Sequence, residues 1–277
     1  MTTTLINGDT ISVMSAQDRA VQYGDGLFET LAWRNGKLEL WPQHMARMQH
    51  GCQRLGMPII DEKIWLADIK QLPLTDNAVI KLIQSRGAGG RGYRYNADMV
   101  PTRVVSVHAW PDYPPQWAEQ GVVVRMCQTP VSVNRALAGI KHLNRLDNVL
   151  ARNEWQDADI AEGLMSNDAG DVIEGTMSNV FAVKNNALLT PALQQSGVCG
   201  VMRERVMAIA QAQSIPVTEC NIKQAELFNM DEVFLTNSLI GIWPVKQLEQ
   251  QSFNVGKVTC LLKQSLQMEL TKYDSPV

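Results

Sequence analysis

A chain of 277 residues that is 45% hydrophobic and 19% charged is long enough to bury a large core, and this ordinary composition excludes a disordered polymer. Its net charge of −3 gives no bulk electrostatic footing for nucleic acid. No apolar run approaches the roughly 18 residues of a membrane span, and the N-terminus lacks the basic and apolar regions of a secretory leader. The five cysteines are scattered without a C-x-x-C pair, so the expectation is no metal site, no membrane and a reducing cytoplasm.

In chain order, short strands at 4–6 and 10–13 flank Asn7-Gly8, and strands at 28–33 and 37–40 flank Asn35-Gly36. Both dipeptides are hairpin signals, because each residue tolerates the positive φ of a tight turn. Pro42 suits the first turn of a helix whose apolar residues Met45, Met48, Cys52 and Leu55 recur at helical spacing until Gly56 and Pro58 close it. A second helix follows Asp61 through Ile64, Trp65 and Ile69. Strands at 78–84 and 103–110 enclose a glycine-rich loop.

The dense prolines of Tyr113-Pro114-Pro115 suggest a linker over 113–120. They divide a smaller domain at 1–112 from a larger one at 121–277. The second domain starts with a strand at 122–126. A helix is expected directly after Lys141, with Leu143, Leu146, Val149 and Leu150 on one face. Strands at 179–183 and around Asn185-Asn186, a helix from Gly200, a strand at 232–235 and a helix from Lys257 complete it. The fold class is α+β, or mixed α/β, in two domains, with the active site expected in the cleft between them.

Gly87-Ala88-Gly89-Gly90-Arg91-Gly92 spells a dinucleotide-binding fingerprint and follows a strand. No helix opens behind it, however: Tyr93-Arg94-Tyr95-Asn96 leads to Pro101 and another strand. The loop is therefore read as a flexible one that carries Arg91 over a binding site. Serine-hydrolase, zinc-protease and P-loop motifs are absent, and the four histidines lack ligand spacing.

The most specific stretch is 174–203. Glu174 precedes Gly175-Thr176-Met177-Ser178-Asn179 and an apolar strand, and Gly200-Val201-Met202 then opens a helix whose N–H groups suit a phosphate. Upstream, Lys141 lies in Ala138-Gly139-Ile140-Lys141-His142-Leu143-Asn144-Arg145-Leu146. A carboxylate for a ring nitrogen, a helix end for a phosphate and a lysine for an aldehyde are the needs of pyridoxal 5'-phosphate. Together these segments resemble the fold-type IV pyridoxal phosphate enzymes, the class IV aminotransferases and their D-amino acid aminotransferase-like relatives.

The resemblance runs from Asn7 to Val245. It implies that Lys141 is the catalytic residue and bonds the cofactor. Glu174 would hold the ring nitrogen. Arg47, in His44-Met45-Ala46-Arg47-Met48, would hold the phosphate together with Val201, Met202 and the Asn237-Ser238 loop. Tyr23-Gly24-Asp25-Gly26-Leu27-Phe28-Glu29 is common to the superfamily. Ser85 to Tyr93 and Ala138 to Leu146 look like its aminodeoxychorismate lyase branch, which implies aminodeoxychorismate as the substrate, with Thr30, Arg91 and Tyr93 to bind it. Related D-amino acid transaminases carry an arginine and a histidine where this chain has Arg91 and Tyr93. An aminotransferase for D- or branched-chain amino acids, kept open by Glu29 and Thr30, is the alternative. The resemblance also implies a homodimer with shared active sites.

Overall fold

The computed structural model describes residues 3–10, 13–273, 275 and 276. The chain divides into two compact units. The first comprises Met1–Pro111, Ile140–Asn144 and Tyr273–Val277, and the second comprises Asp112–Gly139 and Arg145–Lys272. Two short segments thus return to the first unit, and one of them carries Lys141.

The first unit is built on β1 (Thr3–Ile6), β2 (Gly26–Arg34), β3 (Lys37–Leu38), β4 (Asn77–Ser85) and β5 (Arg103–Ala109). These form an antiparallel sheet in the order β1-β5-β4-β2-β3. Asn7 and Gly8, like Asn35 and Gly36, have positive φ and make the turns their sequence signals. Two residues of the strand expected at 10–13, Ile11 and Ser12, lie outside the described residues. Three helices complete the unit: α1 (Arg19–Tyr23), α2 (Trp41–Leu55) and α3 (Glu62–Ile69). Pro42 sits in the first turn of α2, and Asp61 caps α3 by accepting from the Lys63 N–H at 2.8 Å. Leu27, Leu31, Ile80 and Leu82 from the sheet bury against Met45, Met48 and Cys52 of α2 and Trp65 and Ile69 of α3. Ile140 enters the same core at 2% exposure, which ties the returning segment down. No helix lies between β4 and β5, as expected for a fingerprint without its helix.

The second unit runs α4 (Gln116–Gln120), β6 (Val122–Met126), α5 (Leu146–Arg152), β7 (Ile160–Ser166), β8 (Val172–Gly175), β9 (Asn179–Lys184) and β10 (Ala187–Pro191). It continues through α6 (Val201–Ala212), β11 (Val217–Cys220), α7 (Gln224–Leu227), β12 (Glu232–Asn237), β13 (Gly241–Leu248), β14 (Gln251–Ser252) and α8 (Lys257–Lys272). The strand order is β11-β10-β9-β12-β13-β6-β7-β8, with β14 on β13. The β10–β11, β13–β6 and β6–β7 pairs are parallel and the rest antiparallel. The consecutive strands β8 and β9 touch although the order places them far apart, so the sheet curls on itself.

The segment expected as a linker belongs to this unit. Tyr113 and Trp117 pack edge-on to Trp243, with ring centroids 4.8 and 5.1 Å away, so the aromatic residues bury what the prolines leave irregular. The helix expected directly after Lys141 starts only at Leu146. Leu146, Val149 and Leu150 share a face but are 74%, 52% and 61% exposed. No helix among the described residues is long and apolar enough to cross a membrane.

Candidate active site

In the first unit, alternation along β2 sends Phe28 and Thr30 to one face of the sheet and Glu29 to the other. The Phe28 N–H donates to the Lys141 carbonyl at 3.1 Å, which holds the lysine segment alongside β2. The Lys141 ammonium stands 4.3 Å from the centroid of the Phe28 ring, and Lys81 lies 5.4 Å from the same ring. Lys141 is half-buried in extended chain rather than at a helix start, so a helix dipole does not act on it.

Behind Thr30, Glu29 is 1% exposed and accepts from Arg47 Nε at 2.8 Å and Nη2 at 2.5 Å. Its Oε2 also lies 2.7 Å from His44 Nδ1. Burial alone would push the Glu29 carboxyl up, but the Arg47 charge and the hydrogen bonds from Arg47 and His44 draw it down to about 2. His44 is pushed below the usual imidazole range by burial, with the nearby Arg47 and Lys141 charges adding to the effect against Glu29's pull. Arg47 is therefore a guanidinium whose fork is aimed by a buried carboxylate. Sequence reasoning missed the part played by His44, although its place three residues before Arg47 on α2 puts both on one helix face.

Arg91 and Tyr93 are exposed in the glycine-rich loop, and the Tyr93 and Tyr23 rings are 5.6 Å apart. The loop is better tethered than its glycines suggest. Gly89 N–H donates to the Gln17 carbonyl at 3.2 Å, and Gly92 N–H donates to the Tyr23 hydroxyl at 3.1 Å.

In the second unit, Glu174 lies in β8 and is 4% exposed, with Oε2 accepting the Val198 N–H at 2.9 Å. The Val198 carbonyl accepts from Asn179 Nδ2 at 2.9 Å, so this one residue is held at both its N–H and its carbonyl. The next residues lead into α6, whose N-cap is Gly200 without any side-chain cap. A Cβ at Gly200 would collide with Asn179 Oδ1, so a side chain there would displace the amide that holds the Val198 carbonyl. Val201 and Met202 are both 1% exposed and present the first-turn N–H groups and the positive end of the α6 dipole.

The β8–β9 turn is organised by Glu162 of β7, which is 1% exposed and which sequence reasoning also missed. Its Oε1 accepts from the amides of Gly163 (2.9 Å) and Thr176 (3.1 Å) and from Thr176 Oγ1 (2.5 Å). Its Oε2 accepts from the Met177 amide (3.1 Å) and Ser178 Oγ (2.8 Å). Burial outweighs these bonds and pushes the carboxyl above the usual range. The signal was available: Glu162 is a lone acid inside an apolar strand. The turn meets the loop after β12, where Asn237 Nδ2 donates to the Met177 carbonyl at 3.1 Å and Asn237 Oδ1 accepts from Leu239 (2.9 Å) and Ile240 (3.0 Å). Asn237 thus shapes the loop that carries Ser238.

Each unit therefore holds groups of a kind that an anionic, nitrogen-containing aromatic cofactor needs. The first supplies an amine and an aimed guanidinium. The second supplies a buried carboxylate and an uncapped helix start.

Residues 26–248 match the family model for amino-transferase class IV. The chain is 36% identical to an aminodeoxychorismate lyase of Vibrio harveyi, over 94% of this chain and 98% of that one. The crystal structure of 4-amino-4-deoxychorismate lyase from Pseudomonas aeruginosa is similar with a TM-score of 0.90 and 40% identity, covering 96% of this chain and 99% of that one. A hypothetical aminotransferase from Mycobacterium tuberculosis in its PLP-bound form has a TM-score of 0.81 at 21% identity, covering 94% of both chains, a likeness of fold alone.

Proposed function

Since the chain belongs to the amino-transferase class IV family, we propose that it is a pyridoxal phosphate-dependent lyase converting 4-amino-4-deoxychorismate to 4-aminobenzoate and pyruvate. The cofactor, pyridoxal 5'-phosphate, is that of the family. The observation carrying the substrate is the similarity to two such lyases along nearly their whole lengths.

The residue roles proposed are those the family resemblance implies, and the chemistry of each side chain supports them. Bound to the protein, the cofactor supplies an electron sink for the pair left behind when a proton leaves the carbon bearing the substrate amine. Arg47, aimed by Glu29 and His44, binds the phosphate with the α6 N–H groups of Val201 and Met202 and the Ser238 hydroxyl. Glu174 holds the proton on the ring nitrogen, its Oε2 being oriented by the Val198 N–H. The reading requires both sets of residues to serve one cofactor.

Lys141 would hold the cofactor in the absence of substrate, and its freed amine would take the proton from substrate C4. As the C3–O bond breaks, the six-membered ring becomes aromatic, and Lys141 returns a proton to the departing enolpyruvate, which tautomerises to pyruvate. Arg91 pairs with a substrate carboxylate, with Tyr93 and Thr30 lining its place. The exposed face of Leu146, Val149 and Leu150 supports a homodimer, in which the Arg91 loop serves the neighbouring subunit. A cytoplasmic location suits the free cysteines.

The test supplies chorismate and glutamine to an aminodeoxychorismate synthase together with the purified protein, and measures 4-aminobenzoate and pyruvate. Equal amounts of both products are expected. Neither product, with conversion of D-alanine or leucine to its 2-oxo acid instead, would establish an aminotransferase and reject the proposal.

A further inference from the structure

We propose that Arg19 is a positioning residue for substrate recognition, whose guanidinium sets the conformation of the Arg91-Gly92-Tyr93 segment by holding its backbone carbonyls. The inference rests on the reading that Arg91 pairs with a substrate carboxylate.

Arg19 is 4% exposed, although it lies beside an exposed loop. Its Nη1 donates to the Gly92 carbonyl at 3.0 Å and its Nη2 to the Tyr93 carbonyl at 3.1 Å. These are the two carbonyls that directly follow Arg91. Nε donates to Asp25 Oδ2 at 2.8 Å, and the guanidinium carbon stands 4.8 Å from the centroid of the Tyr23 ring. The Tyr23 hydroxyl accepts the Gly92 N–H, so Gly92, the residue after Arg91, is held at both its N–H and its carbonyl.

The far side of this latch is equally fixed. Asp25 also accepts from Arg86 Nε at 2.8 Å and Nη2 at 3.0 Å. Arg86 in turn donates to the Gly56 and Leu55 carbonyls, at 2.9 and 2.8 Å, at the C-terminal end of α2. A chain of charge-assisted bonds therefore runs from the end of α2 through Asp25 and Arg19 into the loop. Glycines make the loop adaptable, and Gly92 itself has a φ of 95°, so the backbone around Arg91 has little conformational preference of its own. What restrains it is the Arg19 fork, helped by the Tyr23 hydroxyl. A lysine at position 19 has no planar fork to serve both carbonyls and Asp25 at once.

The experiment compares Arg19→Gln, Arg19→Lys, Tyr23→Phe and Arg91→Ala as holoenzymes. Amide hydrogen exchange and steady-state kinetics are read on each. In both Arg19 variants, exchange should speed up in the peptide containing Gly92 while β2 and β4 stay protected. KM should rise by about tenfold with kcat changed far less, the pattern of lost binding rather than lost chemistry. The visible spectrum of the bound cofactor should be unchanged. Tyr23→Phe, which removes only the Gly92 acceptor, should produce the same pattern more weakly, and it decides the matter should neither Arg19 variant fold.

Wild-type loop exchange and wild-type KM in folded variants would overturn the proposal. So would loss of protection in β2 and β4 in every variant, which would make the cluster a support of the fold alone. Arg91→Ala separates the underlying reading. If it leaves KM unchanged, the recognition role of Arg91 fails and the positioning role fails with it, even if the loop exchange shows that Arg19 holds the segment. If it raises KM and the Arg19 variants do not, only the positioning role fails.

Discussion

Glu162→Gln probes how the turn behind Glu174 is held, and the structure dictates both the size and the pH dependence of its effect. At acid pH the wild-type carboxyl is neutral and nearly isosteric with the amide. Its hydroxyl oxygen can donate to Ser178 Oγ while still accepting the Met177 N–H, whereas an amide nitrogen in that place cannot accept. One buried donor is left without a partner, at a cost of about 1–3 kcal/mol. The carboxyl is raised by burial in the folded state, so it binds its proton more firmly folded than unfolded. Its contribution to stability is therefore complete below the unfolded value of about 4.3 and is lost as pH rises through the folded value. The deficit of the variant should accordingly be largest at low pH and shrink towards neutrality. Urea unfolding of both proteins from about pH 4 to about pH 7.5 measures this difference directly. A deficit that grows with pH would mean that the five donors outweigh burial and favour the ion, and the reasoning would fail.

Glu29→Gln removes the anion that aims Arg47, and breaking a buried pair of this kind costs roughly 3–5 kcal/mol. Because Glu29 is drawn down to about 2, the stability it confers is present above the unfolded value and lost as pH falls, so the variant should lose less stability between about pH 4.5 and 2 than the wild type. Parallel acid titrations followed by circular dichroism check this, and equal acid losses in the two proteins would reject the pairing. Lys141→Ala should fold and turn nothing over, and borohydride treatment of the wild type followed by peptide mapping should find the pyridoxyl group on Lys141 and on no other lysine. Glu174→Gln should keep its cofactor while kcat falls by about 100-fold or more, and near-normal turnover would remove Glu174 from the site. Mixing inactive Lys141→Ala subunits with impaired Arg91→Ala subunits should raise the activity above that of Arg91→Ala alone if active sites are shared, and no gain after verified subunit exchange would end that reading.

The elements that could be read in advance are those whose signals are local. The Asn-Gly hairpins and the span of α2 follow from positive φ, Pro42 and a regular apolar stripe. The β8–β9 turn and the start of α6 were marked by Glu174, the residues after it and Gly200. What escaped depends on partners distant in sequence. The spacing of Leu146, Val149 and Leu150 identified a face without telling what covers it. The prolines near Tyr113 signalled irregular chain, but the packing of Tyr113 and Trp117 on Trp243 is a contact across more than a hundred residues. The Glu29–His44–Arg47 cluster joins a strand to a helix and becomes visible only once both are in place.

The return of Ile140–Asn144 and of the last residues to the first unit makes the two units interleaved rather than sequential. During synthesis the first 111 residues emerge without Ile140, a fully buried piece of their own core, and without Ser275, whose hydroxyl accepts the Leu38 N–H of β3 at 2.9 Å. The N-terminal unit therefore cannot finish folding until the ribosome has released almost the entire chain. A fragment ending at Pro111 would be a chain lacking core and edge, and a single protease cut near Tyr113 would leave both pieces committed to the same particle. Lys141, the lysine that the proposed chemistry needs, is carried on the strip of chain that closes this interlock, so on that reading a molecule that has stopped partway through folding has no assembled place for its cofactor.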